Sequence, residues 1–179
     1  MRRRLHRSCV LCLSRRRMNP LLRYPIDQVP EFWEWLCYQG AAGNVKIPVE
    51  IMEEILEGRK EKDLLLDWVK DAENSTALLL EDEVSPVLVQ HVVSRGYASN
   101  LTDIELEQIG CDPFLIAYAL AKTDCCVVTT EVSKPRRTRH NRHVPDVCRD
   151  LSVQCCDPFM LNRSLGFRTS WRGLINSET

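Results

Sequence analysis

Residues 111–121 form an almost wholly apolar run, Cys111-Asp112-Pro113-Phe114-Leu115-Ile116-Ala117-Tyr118-Ala119-Leu120-Ala121, and Cys125-Cys126-Val127-Val128-Thr129-Thr130-Glu131 follows soon after. The first run opens on Asp-Pro, which suits a helix start, because proline's fixed φ and missing N–H cost little in the first turn. A helix apolar on every side must be covered by other elements. The second run is short and rich in β-branched residues, the pattern of a buried strand. A buried helix feeding a buried strand constrains the chain to α/β layers. Asp112 opens the helix and Glu131 ends the strand, so each piece delivers a carboxylate near one edge of a sheet. Carboxylates suit hard cations such as Mg²⁺ or Mn²⁺, whose usual chemistry in such sites is phosphodiester cleavage.

The rest of the chain alternates in the same way. Residues 1–24 read as irregular, and a helix begins at residues 30–36 with Pro30 in its first turn. Residues 44–48 read as a strand closed by Pro48. Residues 49–57 read as a helix with Ile51, Met52, Ile55 and Leu56 on one side, glutamates on the other, and Gly58 as its stop. An amphipathic helix over 62–70, a buried strand over 76–80, and helices over 86–94 and 103–108 come next. The apolar helix then spans 112–122 and its strand 126–129. Residues 133–143 are a basic loop, 145–150 a helical turn, 152–155 a strand and 157–165 a helix, and the tail after Phe167 reads as disordered. Such alternation predicts a parallel sheet with helices on both faces.

A length of 179 residues and a hydrophobic fraction of 44% fit one domain with a real core. The sequence holds no run of about 18 uncharged apolar residues, and the patch at residues 9–13 is too short for a signal-peptide core, so a cytosolic protein is expected. Nine cysteines, including two adjacent pairs, read as small buried hydrophobes and not as a disulfide framework. The net charge of −1 hides an asymmetry: residues 1–23 carry eight arginines and no acid, and the other 16 basic residues face 25 acids, a net of −9. A second basic cluster runs over residues 134–143. Basic patches on an acidic body suit local contact with a nucleic-acid backbone; a solvated loop is the plainer reading of residues 134–143.

The chain contains its own control for Asp112. Cys156-Asp157-Pro158-Phe159 repeats Cys111-Asp112-Pro113-Phe114, and an aspartate before proline at a helix start is ordinarily an N-cap. Asp157 is expected to be a simple cap, and Asp112 a cap and a ligand together. Only the first copy leads into a small-residue helix and a strand that ends on Glu131. Thr129 and Thr130 are placed to hold that acid or a metal-bound water through their hydroxyls. Among Glu50, Glu53, Glu54 and Glu57, most are solvent residues, and one turned toward the sheet edge would complete a carboxylate cluster. His6, Cys9, Cys12, His140 and His143 have zinc-like spacings without a second Cys-x-x-Cys, so zinc is disfavoured.

Several motifs together resemble the PIN-domain-like nucleases, the fold of the VapC-type toxins, and within them a PIN-like family of unassigned function. The run Ile47-Pro48-Val49-Glu50-Ile51-Met52-Glu53-Glu54-Ile55 matches the segment after the second strand and selects Glu54. The family's Asp-led helix matches residues 112–119, and its Val-Val-Thr-x-acid strand end matches residues 127–131. Phe32-Trp33-Glu34-Trp35-Leu36 and Pro145-Asp146-Val147-Cys148 match further motifs, so the resemblance covers residues 24–167. It implies a three-layer PIN-like α/β fold with a central parallel sheet. It also implies a metal-dependent ribonuclease, the toxin of a toxin–antitoxin pair, with a helix-turn-helix antitoxin as partner and a homodimer as a further option. Glu54, Asp112 and Glu131 would hold Mg²⁺ or Mn²⁺, while Lys134, Arg136, Arg137 and Arg139 would grip RNA phosphates.

One departure stands against this. The family's first strand ends in an aspartate, the central metal ligand, yet no acid precedes Asp27 here. The best match, Leu5-His6-Arg7-Ser8-Cys9-Val10, puts Arg7 where the acid belongs, and a guanidinium cannot ligate a cation. Two expectations follow. Either residues 1–23 are partly translated out of frame over the first strand, which genomic sequencing would test, or the domain is an inactive PIN-like binding module.

Overall fold

The computed structural model describes residues 9–11, 25–57, 64–122 and 124–175. Strands β1 (Cys9–Leu11), β2 (Val45–Pro48), β3 (Leu79–Leu80), β4 (Cys126–Val128) and β5 (Gln154–Cys156) form one sheet in the order β3-β2-β1-β4-β5, and every pairing is parallel. The first strand in sequence is therefore the central one. The strand order reverses between β1 and β4, and open α/β sheets bind ligands outside the carboxyl ends of strands at such a reversal.

Helices α1 (Pro30–Ala41), α2 (Val49–Leu56), α3 (Leu64–Lys70), α4 (Ala72–Leu78) and α5 (Pro86–His91) precede a π-helical turn (Val92–Tyr97). Helices α6 (Asp103–Ile109), α7 (Asp112–Ala121), α8 (Val144–Asp150), α9 (Pro158–Ser164) and α10 (Trp171–Ile175) complete the described chain. Successive strand residues point to opposite faces. Accordingly, Cys126 and Val128 of β4 join a cluster with Phe32, Trp35, Ile51 and Leu161, whereas Cys125 and Val127 join one with Val92, Leu115, Ile116 and Val147. Each face of the sheet thus has its own apolar core. Cys37, Cys111, Cys125, Cys126, Cys148, Cys155 and Cys156 are free thiols, and Cys125, Cys126 and Cys148 among them are buried.

Most boundaries fall within two residues of the sequence reading, and the exceptions have local causes. The expected strand over 76–80 is mostly helix, and only Leu79 and Leu80 pair with β2. Asp71 caps that helix, accepting from the N–H groups of Glu73 at 3.0 Å and Asn74 at 3.2 Å, and this outweighs a short leucine run. The tail after Phe167 is not a disordered segment over its described part. There α10 buries Trp171, whose ring lies 5.1 Å from that of Tyr38 and whose Nε1 donates to the Glu31 carbonyl at 3.2 Å.

The N-terminal segment was expected to be irregular, but residues 9–11 are a strand at the centre of the sheet, Leu11 lying opposite Val128. The motif match puts Arg7 at the end of that strand. Arg7 itself lies outside the described residues, as does Gly58, the expected stop of α2.

Candidate functional site

The start of α7 sets the geometry. Gly110 turns the chain out of α6 with φ 58° and ψ −137°, a conformation that strains any residue with a side chain. Cys111 occupies the cap position and makes no side-chain capping bond, so Asp112 is the first helical residue and not the cap that the Asp-Pro pair suggested. The second copy behaves as expected: Asp157 caps α9 and accepts from the Met160 N–H at 2.8 Å. Identical tetrapeptides thus place their aspartates one position apart.

α2 brings two glutamates to the same corner. Glu50 and Glu54 are four residues apart and share a face. A Cβ on Gly110 would stand 3.8 Å from Glu54 Oε1. The Cys111 thiol is pushed up to about 12, first by burial, then by the charges of Glu54, Glu50 and Asp112, with Glu54 also acting as its hydrogen-bond partner. Three carboxylates from two helices therefore bear on one thiol. Glu50 extends the corner along α7. The Tyr118 hydroxyl is pushed up to about 12 by burial and then by Glu50, and it donates to the Asp82 carbonyl at 2.8 Å. Glu50 Oε2 is buried without a hydrogen-bond partner among the described residues. An isolated buried oxygen of this kind is costly unless a proton or a cation meets it.

The donor set is all hard oxygen apart from Cys111, and the orphaned Glu50 oxygen points the same way, so the residues present suit Mg²⁺ or Mn²⁺. Among the described residues, no three His, Cys, Asp or Glu side chains already stand together closely enough to hold an ion. The four-residue spacing made Glu50 visible in the sequence as a partner of Glu54. Which glutamate turns inward depends on α7, which the local pattern does not report.

Glu131 sits on the same carboxyl edge of the sheet, beyond β4. Thr129 is buried, and its Oγ1 accepts from the Glu131 N–H at 3.2 Å, a bond to the backbone of Glu131 and not to its carboxylate. Glu131 Oε2 accepts from the Val144 N–H at 2.7 Å, at the first turn of α8, with His143 Nδ1 3.8 Å away. One carboxylate oxygen therefore serves α8, and a carboxylate has lone pairs enough to serve a cation as well. Thr130 follows Thr129 at the same edge and is half-buried.

The basic loop is organised and not merely solvated. Asp146 is buried and accepts from Ser133 Oγ at 2.5 Å, the Lys134 N–H at 2.6 Å and Arg149 Nη2 at 2.9 Å. Burial works to raise its carboxyl, but these hydrogen bonds outweigh it and hold the group below the usual carboxylate range. Arg139 forks onto Glu105 through Nε and Nη2, both at 2.6 Å, and reaches Asn100 through Nη1 at 2.8 Å. That fork, first among several hydrogen bonds, drives the Glu105 carboxyl far below its ordinary range. Arg139 therefore does not stand with Lys134, Arg136 and Arg137 as a fourth outward cation. His140 Nδ1 lies 3.0 Å from Glu105, and His143 Nδ1 lies 2.8 Å from the Val132 carbonyl, so the two histidines serve different partners.

These features define a parallel α/β domain with an acidic corner and a basic loop at one edge of its sheet. The chain belongs to the family described as Domain of unknown function (DUF4411), whose family model matches residues 18–169 and so includes the corner, Glu131 and the loop. No curated protein and no solved structure matches the chain. Among the described residues, no helix is long and apolar enough to cross a membrane.

Proposed function

We propose that the chain is a three-layer PIN-like domain acting as a metal-dependent endoribonuclease, the cytoplasmic toxin of a toxin–antitoxin pair with a helix-turn-helix antitoxin. The observation that carries the reading is that the charges of Glu54, Glu50 and Asp112 all bear on Cys111 while a buried Glu50 oxygen lacks a hydrogen-bond partner among the described residues, on the carboxyl edge of a sheet whose central strand is β1. Glu54, Asp112 and Glu131 would hold Mg²⁺ or Mn²⁺, and Glu50 adds a buried oxygen that has no hydrogen-bond partner among the described residues. The chemistry supplied by such a cation is Lewis acidity toward a phosphate oxygen and an attacking water. The protein's own part is to gather carboxylates where their mutual repulsion favours a cation, and to lay the RNA strand against Lys134, Arg136 and Arg137.

A second reading has its own observation. β1 ends at Leu11, and the sequence offers no acid before Asp27, so the central strand brings no carboxylate to the corner. This favours an inactive PIN-like module that binds RNA or a partner without cutting. Isothermal titration with Mn²⁺, paired with an RNA cleavage assay, separates the two. The nuclease reading expects Mn²⁺ binding and Mn²⁺-dependent cleavage, both lost in Asp112→Asn. Heat of binding that is absent, or unchanged by Asp112→Asn, would leave only the module.

A further inference from the structure

The loop between β4 and α8 combines two features. Its backbone is fastened at many points, and the cations at its tip are left outward. The Arg137 N–H donates to the Lys134 carbonyl at 2.9 Å and closes a tight turn over residues 134–137. Pro135 occupies the second position of that turn, where its fixed φ is already correct. Asp146 holds the base of the turn from beneath, one oxygen on the Ser133 hydroxyl and the other on the Lys134 N–H. Beyond the turn, Arg139 adopts φ 55°, which a non-glycine residue takes only when its surroundings enforce it. The enforcement is the Glu105 fork, with the Asn100 carbonyl accepting from Arg139 Nη2 at 2.9 Å. Between these anchors Lys134, Arg136 and Arg137 are exposed, and none has an ion-pair partner among the described residues. A solvated loop needs no such fastening, because ordering its residues costs backbone entropy.

We propose that Asp146 and Glu105 are positioning residues for RNA binding, holding the turn over residues 134–137 preformed so that Lys134, Arg136 and Arg137, and not Arg139, contact the phosphates of a single strand. The inference rests on the proposed function for its ligand, and on the hydrogen bonds above for its geometry. A preformed turn avoids the ordering cost at the moment of binding, so loss of an anchor lowers affinity without removing a cation from the contact set. Loss of Arg136 or Arg137 lowers affinity and also removes a released counterion.

Full-length protein with a fluorescent single-stranded RNA oligonucleotide, titrated over a series of salt concentrations, tests this, with hydrogen exchange followed at residues 134–139. The double variant Arg136→Ala, Arg137→Ala should flatten the slope of log affinity against log salt by about 1.4, from about 0.7 for each phosphate contact on a single strand. Arg139→Ala should leave the slope unchanged. Asp146→Asn should weaken binding roughly 2- to 10-fold at an unchanged slope, with faster exchange confined to the loop. Ser133→Ala, which removes one bond only, is the milder variant should Asp146→Asn unfold. A slope in Arg139→Ala flattened by about 0.7, half the change expected of the double variant, overturns the inference alone, as does wild-type affinity and loop exchange in both Asp146→Asn and Ser133→Ala. Wild-type protein with no salt-dependent RNA binding overturns both the inference and the ribonuclease reading beneath it.

Discussion

The twin tetrapeptides allow a matched experiment on Asp112 and Asp157. Asp157 closes the first turn of α9 with a 2.8 Å hydrogen bond from Met160, so Asp157→Ala leaves that N–H unpaired. Loss of such a cap costs about 1 kcal/mol, within a range of about 0.5–2. For a domain of this size, that is a fall of roughly 2–4 °C in Tm. Asp112 is the first helical residue of α7, with Cys111 in the cap position, so Asp112→Ala removes no N-terminal cap. It forfeits a favourable interaction with the helix dipole of about 0.3–1 kcal/mol. It also relieves repulsion from Glu54 and Glu50, whose charges reach the same thiol. The two effects oppose each other, so the net change should be smaller than the loss of the cap at Asp157. Urea unfolding at pH 7 without divalent cations measures both variants. The charge at the corner has a separate readout in the alkylation rate of Cys111. Glu54→Gln should lower the thiol's pKa most, Glu50→Gln less and Asp112→Asn less again, following the order in which those charges act on it. An Asp112→Ala variant as unstable as Asp157→Ala would mean that both aspartates are caps, and the reasoning about the corner would fail.

Other outcomes follow from single features. Gly110→Ala forces a Cβ into φ 58° and should destabilise by about 1–3 kcal/mol in urea unfolding; a neutral result would remove the special status of the turn into α7. Trp171→Ala should cost about 3 kcal/mol, read as a lowered Tm, because the ring is buried against Tyr38; a shift below 1 °C would make α10 dispensable. The Cys111 thiol, raised from 9.0 to about 12, keeps its proton in the folded state after the unfolded chain has lost it. Stability should therefore decline as pH rises from about 9 toward 12, and Cys111→Ser should decline less steeply over that range. Asp146 has the opposite sign. Its lowered carboxyl stabilises the fold above the ordinary value of 3.8, and the benefit disappears as pH falls through the depressed folded value. Asp146→Asn should flatten that acid limb, and an unaltered limb would contradict the ionised anchor.

The elements that sequence patterns revealed are those whose cause is local. α7 and β4 follow from an unbroken apolar run and a β-branched run, and both end within a residue of the expected positions. β1 has no such local cause. Cys9-Val10-Leu11 is too short for a period and is flanked by arginines, so its partners Val45, Lys46, Val127 and Val128 define it, and they lie far along the chain. Strand formation depends on neighbours in this way more than helix formation does. The site divides along the same line. Glu54 and Asp112 were legible as motif positions. The buried Glu50 oxygen was not, because it depends on how α2 meets α7. Nor could composition separate Arg139 from Arg136 and Arg137. The distinction comes from Glu105, 34 residues earlier.

Charge on the carboxyl edge is distributed so that it is only partly neutralised within the fold. Glu105, Asp146 and Asp150 meet the basic segment, and they take Arg139, His140, Arg142 and Arg149. Lys134, Arg136 and Arg137 are left outward, while the charges of Glu50, Glu54 and Asp112 bear on Cys111 and that of Glu50 on Tyr118 as well. Opposite charges that a fold keeps apart lose Coulomb stabilisation they would gain together, at a few kcal/mol for each close pair in a partly buried setting. A ligand that carries both signs would recover it. Under the proposed function, the negative phosphates of an RNA strand meet the three tip cations and a divalent cation meets the carboxylates. Neither component alone matches both patches. The central strand β1 has no carboxylate in the sequence preceding it. RNA affinity should therefore depend on the loop even where Mn²⁺ affinity is weak, and this makes the two patches separable by mutation.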